Sequence, residues 1–147
     1  MANWLLVEDE LDIRNVLKVM FQVWGNETIE FSNGNDAFDY LEDVDEDIVD
    51  DKDLPTFALM DIRMPGPNGN EIARRIRESN RLGHIPVMLM TAFQLSEAQQ
   101  EEFKTRDGVD RIVFKPLPDF DKFRNVIEEV ISARQDQNKN GNHAAEG

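Results

Sequence analysis

Four short, strand-like segments in this 147-residue chain, rich in apolar residues, each lead into a residue able to do chemistry. Residues 4–7 run into Glu8 and Asp9, residues 57–60 into Asp61, residues 85–90 into Thr91, and residues 110–114 into Lys115. Brought to one place, three carboxylates repel one another, and a hard divalent cation with oxygen ligands, most simply Mg²⁺, relieves that penalty. Such an ion together with a lysine ammonium neutralises the equatorial oxygens of a phosphoryl group, while a threonine hydroxyl donates a hydrogen bond to one of them. A carboxylate can supply the missing nucleophile by forming an aspartyl phosphate. Taken singly, each residue has a plain structural use: Asp61 as a turn former, Glu8 and Asp9 as a solvated helix start, Thr91 as a helix cap, Lys115 as an exposed loop lysine. Turn chemistry does not require all of them to follow separate apolar runs, so the joint pattern favours a site.

The elements that must position these residues follow from periodicity. Residues 4–7, 56–60, 85–90 and 110–114 read as buried strands, and 27–31 as a brief alternating one. Ile13, Val16, Leu17, Met20, Val23 and Trp24 recur at helical spacing until Gly25-Asn26 stops them. Further helices are predicted over 36–41, capped by Ser32-Asn33, over 70–80, and over 96–105 with Ser96 as N-cap. A closing helix carries Phe120, Phe123, Val126, Ile127, Val130 and Ile131. Pro65-Gly66-Pro67-Asn68-Gly69 can only be a loop. Five strands alternating with five helices predict one α/β domain over residues 1–134, a doubly wound parallel sheet covered on both faces, with a disordered polar tail at 135–147. In such sheets ligands gather at the carboxyl ends of the strands, where Glu8, Asp9, Asp61, Thr91 and Lys115 would stand.

Composition narrows the function. Thirty acidic against sixteen basic residues give −14, which opposes binding to nucleic acid and to anionic membranes. Without cysteine, disulfides, thiolate metal sites and cysteine nucleophiles are excluded. No apolar run approaches a membrane span and no secretory leader is apparent, so the cytoplasm is the expected compartment. Residues 42–53 hold eight acids and one lysine. Asp43, Asp45 and Asp47 match the first ligand spacings of an EF-hand, but Ile48 stands where glycine is needed and Leu54 where a bidentate glutamate is needed. The segment therefore reads as a solvated, self-repelling loop, with docking to a basic partner as its functional alternative. His84 and His143 are isolated and suggest neither a metal site nor a phosphohistidine.

VEDE at 7–10, LMDIRMPGPNG at 59–69, MTA at 90–92 and FKP at 114–116 together resemble the receiver domain of two-component response regulators, and the resemblance covers about residues 3–134. It implies a flavodoxin-like fold in which Asp61 is phosphorylated by a histidine kinase or a histidine phosphotransfer protein. It further implies that Glu8, Asp9, Asp61 and the backbone carbonyl of Arg63 hold Mg²⁺, that Thr91 and Lys115 grip the phosphoryl oxygens, and that the Lys115-Pro116 bond is cis. The sequence departs from the family at Ile112, where a switching Tyr or Phe is usual, and in the long acidic stretch at 42–53. Arg63 and Phe93 occupy the positions that flank the attacking water in this family, and bulky Phe93 is expected to slow dephosphorylation. A phosphatase using Asp61 would need a second aspartate two residues on, where this chain has Arg63, so a signalling domain rather than an enzyme is expected. No output domain follows in the sequence; a stand-alone receiver would pass its message to a downstream effector through segments 91–106 and 110–114. A homodimer, a removed output domain, and a phosphorylation-independent docking module of the same fold are the arrangements left open.

Overall fold

Successive residues of the central strands point to opposite faces of one sheet, and the apolar runs build two cores accordingly. In the computed structural model, which describes residues 1–146, the elements are β1 (Asn3–Val7), α1 (Leu11–Val23), β2 (Glu27–Phe31), α2 (Gly34–Asp45), β3 (Pro55–Asp61), α3 (Gly69–Glu78), β4 (Val87–Thr91), α4 (Glu97–Thr105), β5 (Arg111–Phe114) and α5 (Phe120–Glu146). The strands form one parallel sheet in the order β2-β1-β3-β4-β5. This is the flavodoxin-like doubly wound arrangement, and its strand order reverses between β1 and β3. Leu5, Val7, Ala58, Met60, Val87 and Leu89 face the core shared with α2 and α3, where Leu41, Val44, Ile72 and Ile76 are buried. Trp4, Leu6, Phe57, Leu59, Met88 and Met90 face the other, shared with α1 and α5 through Leu17, Phe21, Phe123 and Ile127. With both faces covered, the strands must be apolar throughout, and the polar residues that end them mark where the chain leaves the core.

Two segments differ from expectation. Acids 42–45 extend α2, whose start is capped by Asn33 accepting the Asp36 N–H at 2.8 Å, instead of opening a loop. The reason is internal cation pairing. Arg75 meets Asp45 at 2.7 Å, and Ser79 donates to the same carboxylate. Arg81 donates to the carbonyls of Val44 at 2.8 Å and Val49 at 2.7 Å and pairs with Asp51. The acidic segment is thus wrapped around two arginines of its own chain. The second difference is α5, which continues through 135–146 where composition predicts a tail; Gly147 lies outside the described residues. Arg134 and Asn138 both donate to the His84 carbonyl, fastening the helix past its apolar stretch, and adding turns to a formed helix is cheap.

At the amino ends of β4 and β5, Arg77 donates to the carbonyls of Gly108, Gly83 and Ile85 and pairs with Asp110 at 2.9 Å. One guanidinium thereby ties the loops that enter both strands.

Removing the Arg81 side chain leaves two carbonyls and Asp51 without their donor, so Arg81→Ala is expected to lower stability by about 2 kcal/mol in urea denaturation; an unchanged midpoint would show that the acidic segment is not held this way. Burial works against the charge of Asp45, but the Ser79 and Arg75 hydrogen bonds outweigh it and hold the carboxyl below its ordinary value of 3.8. Its contribution is therefore present above that value and lost as pH falls through the lower folded one. The stability gap between wild type and Asp45→Asn should narrow with acidification across that window.

Candidate functional site

Glu8 and Asp9 leave the carboxyl end of β1 and Asp61 ends β3, so the reversal of strand order gathers their side chains in one crevice. One carboxylate oxygen from each of Glu8, Asp9 and Asp61 lies within 4.8 Å of the other two. Glu8 is fully buried and Asp61 nearly so, whereas Asp9 is exposed at the rim. Lys115, just past β5, reaches back across the strand ends: its Nζ is 2.7 Å from Asp61 Oδ2 and 3.3 Å from Glu8 Oε1. The Lys115 N–H donates to the Thr91 carbonyl at 2.8 Å, which ties its backbone to the end of β4; the Lys115-Pro116 bond is cis.

Burial and then the neighbouring Asp61 push the Glu8 carboxyl up to about 8. For Lys115, burial opposes the charge, but hydrogen bonding to Asp61 and the charges of Asp61 and Glu8 raise its pKa above the ordinary lysine value. Together these shifts mark a crevice short of positive charge. A hard divalent cation fits it: the donors are all oxygens, and carboxylates at close quarters favour a small, highly charged ion.

The other expected site residues stand around this cluster. Arg63 follows Asp61 by two residues and its N–H donates to Asp61 Oδ1 at 3.3 Å. Thr91 is buried at the end of β4, where its hydroxyl oxygen accepts the Phe93 N–H at 3.1 Å. Phe93 is half exposed, and the Arg63 guanidinium lies 4.1 Å above its ring. Ile112 packs against the core shared with α2 and α3. Two supporting residues escape a sequence reading. Arg14 donates to the Glu8 carbonyl at 2.8 Å and fixes the exit from β1. Gly69 begins α3 so close to β3 that a Cβ would fall 2.2 Å from the Asp61 carbonyl oxygen. The Asn68-Gly69 pair before a helical pattern was the available signal for the second; nothing local in the sequence pairs Arg14 with Glu8.

Compared with known proteins, the chain matches the response regulator receiver domain over residues 4–128, and it belongs to that family. It is 30% identical over 114 residues to the polar-differentiation response regulator DivK of Brucella anthropi, a match covering 77% of this chain and 83% of DivK. It is 28% identical over 127 residues to sporulation initiation phosphotransferase F of Bacillus subtilis, covering 86% of this chain and 91% of that one. Of two longer relatives it spans 56% and 24% of the length. Among solved structures, the chemotaxis response regulator CheY4 of Vibrio cholerae superposes with a TM-score of 0.72 at 21% identity, covering 88% of this chain and 98% of CheY4. Among the described residues, no helix is long and apolar enough to cross a membrane.

Asp61→Asn removes one of the clustered charges while its amide can still meet Lys115 and Glu8. In a divalent-chelating buffer at pH 7 the variant should be more stable than wild type by about 1 kcal/mol, seen as a rise of a few degrees in Tm. A lower Tm would mean that the Lys115 pair outweighs the repulsion.

Proposed function

We propose that this receiver domain is a phosphorylation-operated switch in which Asp61 accepts a phosphoryl group from a phosphohistidine on a histidine kinase or histidine phosphotransfer protein. One observation carries the reading: Asp61 sits where two further carboxylates and the Lys115 ammonium converge, within 2.7 Å of that ammonium. Isolated aspartates after strands have no need of such company. The phosphotransferase relative that this chain matches over most of its length supports the same chemistry.

In the proposed step an Asp61 carboxylate oxygen attacks phosphorus, the P–O bond forms as the donor's P–N bond breaks, and the leaving imidazole nitrogen keeps the electron pair and takes up a proton. Glu8, Asp9, Asp61 and the backbone carbonyl of Arg63 would hold Mg²⁺, which when bound offsets the charge on the phosphoryl oxygens. Lys115 supplies a second positive charge, its Nζ 2.7 Å from Asp61 Oδ2. Thr91 already accepts from the Phe93 N–H through its oxygen, so its own hydrogen remains free to donate to a phosphoryl oxygen.

Phosphorylation adds roughly −1.5 to −2 charge and strong acceptor oxygens. Movement of Thr91 and Lys115 toward that group would pull on segments 91–106 and 110–114. Helix α4, which begins in this region, contributes no buried residue and so offers little resistance. In this reading the switching unit is residues 1–134, acting in the cytoplasm on a downstream effector protein. Ile112, packed into the core, leaves the movement of Thr91 and its loop as the route of transmission.

Incubation with Mg²⁺ and acetyl phosphate followed by intact-mass measurement should add one phosphoryl group to wild type and none to Asp61→Asn, with strongly reduced labelling of Lys115→Ala. Labelling of Asp61→Asn to the wild-type level would refute the assignment. With the Arg63 guanidinium stacked on it, Phe93 covers the approach of water, so Phe93→Ala should shorten the half-life of the phosphorylated protein several-fold. An unchanged half-life would remove Phe93 from that role.

A further inference from the structure

The loop of residues 62–68 carries Arg63 from β3 to α3, and its middle lies on the surface. Its ends are fastened by buried Ile62 and Met64 and by the Gly69 N–H, which donates to the Ile62 carbonyl at 2.8 Å. Its middle is held by the first turn of α2. There the Gly34 N–H donates to the Pro65 carbonyl at 3.0 Å. A Cβ on Gly34 would fall 2.1 Å from the Pro67 carbonyl oxygen and 2.8 Å from the Pro67 nitrogen. Helix and loop therefore meet backbone to backbone, and Gly66, at φ +80°, turns the loop against Asn35 beside them.

A side chain at position 34 must displace one partner or the other. Helix α2 is the one that cannot retreat, because Ala37, Leu41 and Val44 are buried and its far end is bound to Arg75, Ser79 and Arg81. The exposed loop must give way, by more than about 1 Å if ordinary van der Waals separation is to be restored. Mg²⁺ demands near-octahedral donors at about 2.0–2.1 Å, a tolerance far smaller than that displacement.

We propose that Gly34, which lies outside the phosphoacceptor motifs, is a positioning residue: by letting α2 touch the 62–68 loop directly, it places the backbone carbonyl of Arg63 and thereby sets the affinity of the acidic crevice for Mg²⁺. This rests on the reading of Glu8, Asp9, Asp61 and the Arg63 carbonyl as a Mg²⁺ site.

The test is calorimetric titration of Mg²⁺ into the full chain, with thermal melts in chelating buffer alongside. Gly34→Ala is expected to bind Mg²⁺ at least tenfold more weakly than wild type. Gly25→Ala is the control: Gly25 has a positive φ, +90°, so alanine is strained there, but a Cβ meets nothing within 4 Å, and it turns the chain between α1 and β2. It should lose stability and keep its Mg²⁺ affinity within twofold. If Gly34→Ala does not fold, Gly66→Ala disturbs the same contact from the loop side and should weaken Mg²⁺ at least threefold. Wild-type affinity in whichever of these two variants folds, or an equal loss in Gly25→Ala, overturns the role of Gly34 alone. Absence of Mg²⁺ binding by wild type, or undiminished binding by Asp61→Asn, overturns the reading of the crevice and the role of Gly34 with it.

Discussion

Crowding of like charge at the carboxyl ends of β1 and β3 is the constraint around which the rest of the molecule is arranged. Placing Glu8 and Asp61 out of water within a few ångströms of each other is costly, and neither residue earns that position through packing. Lys115 offsets part of the cost, and the strain that remains shows in the Glu8 carboxyl, which burial and the neighbouring Asp61 push up to about 8. The crevice is thus tense by construction, and the cores on both sides of the sheet must be good enough to tolerate it. They are built from strands that are apolar on both faces, with Trp4 packed edge-on against Phe21, their ring centroids 4.9 Å apart.

Rigid strands fix where the acids start, but connecting loops fix where their donors point. β1 is followed by Glu8, whose carbonyl is held by Arg14, β3 is followed at once by a loop pinned at Gly69, and β5 hands over to Lys115, whose backbone N–H donates to the Thr91 carbonyl of β4. Each polar group is therefore set by a neighbour from another element. The cation–π contact between Arg63 and Phe93 belongs to the same scheme, joining the loop after β3 to the loop after β4 across the mouth of the crevice.

Much of this was legible in the sequence because buried parallel strands leave an unmistakable mark. The runs ending at Val7, Met60, Met90 and Phe114 predicted the sheet and hence the meeting of Glu8, Asp9, Asp61 and Lys115. Residues with side-chain periodicity, such as Ile72, Ala73 and Ile76 in α3, were equally plain. What escaped were contacts between residues distant in sequence whose types carry no local signal. Arg81 looks like any exposed lysine or arginine until Val44 and Val49 present their carbonyls to it, and the acids 42–45 read as a loop because their helical face is completed only by Arg75 and Ser79. The far end of α5 escaped for the same reason: composition predicted a tail, and the His84 carbonyl that anchors it comes from another loop. Glu8 and Asp9 carry the same acidic signal in the sequence, yet Glu8 is enclosed and Asp9 stands at the rim, a difference that composition does not reveal.

The Arg77 clamp lies at the amino ends of β4 and β5, the full length of the strands away from the crevice. Cohesion and reactivity are thereby assigned to opposite rims of one scaffold. Under the phosphoryl chemistry proposed for Asp61, substitutions near Arg63 or Phe93 would retune how long the phosphoryl group persists without loosening the fastening below, so variants with memories of very different duration would be reachable from this sequence by single steps.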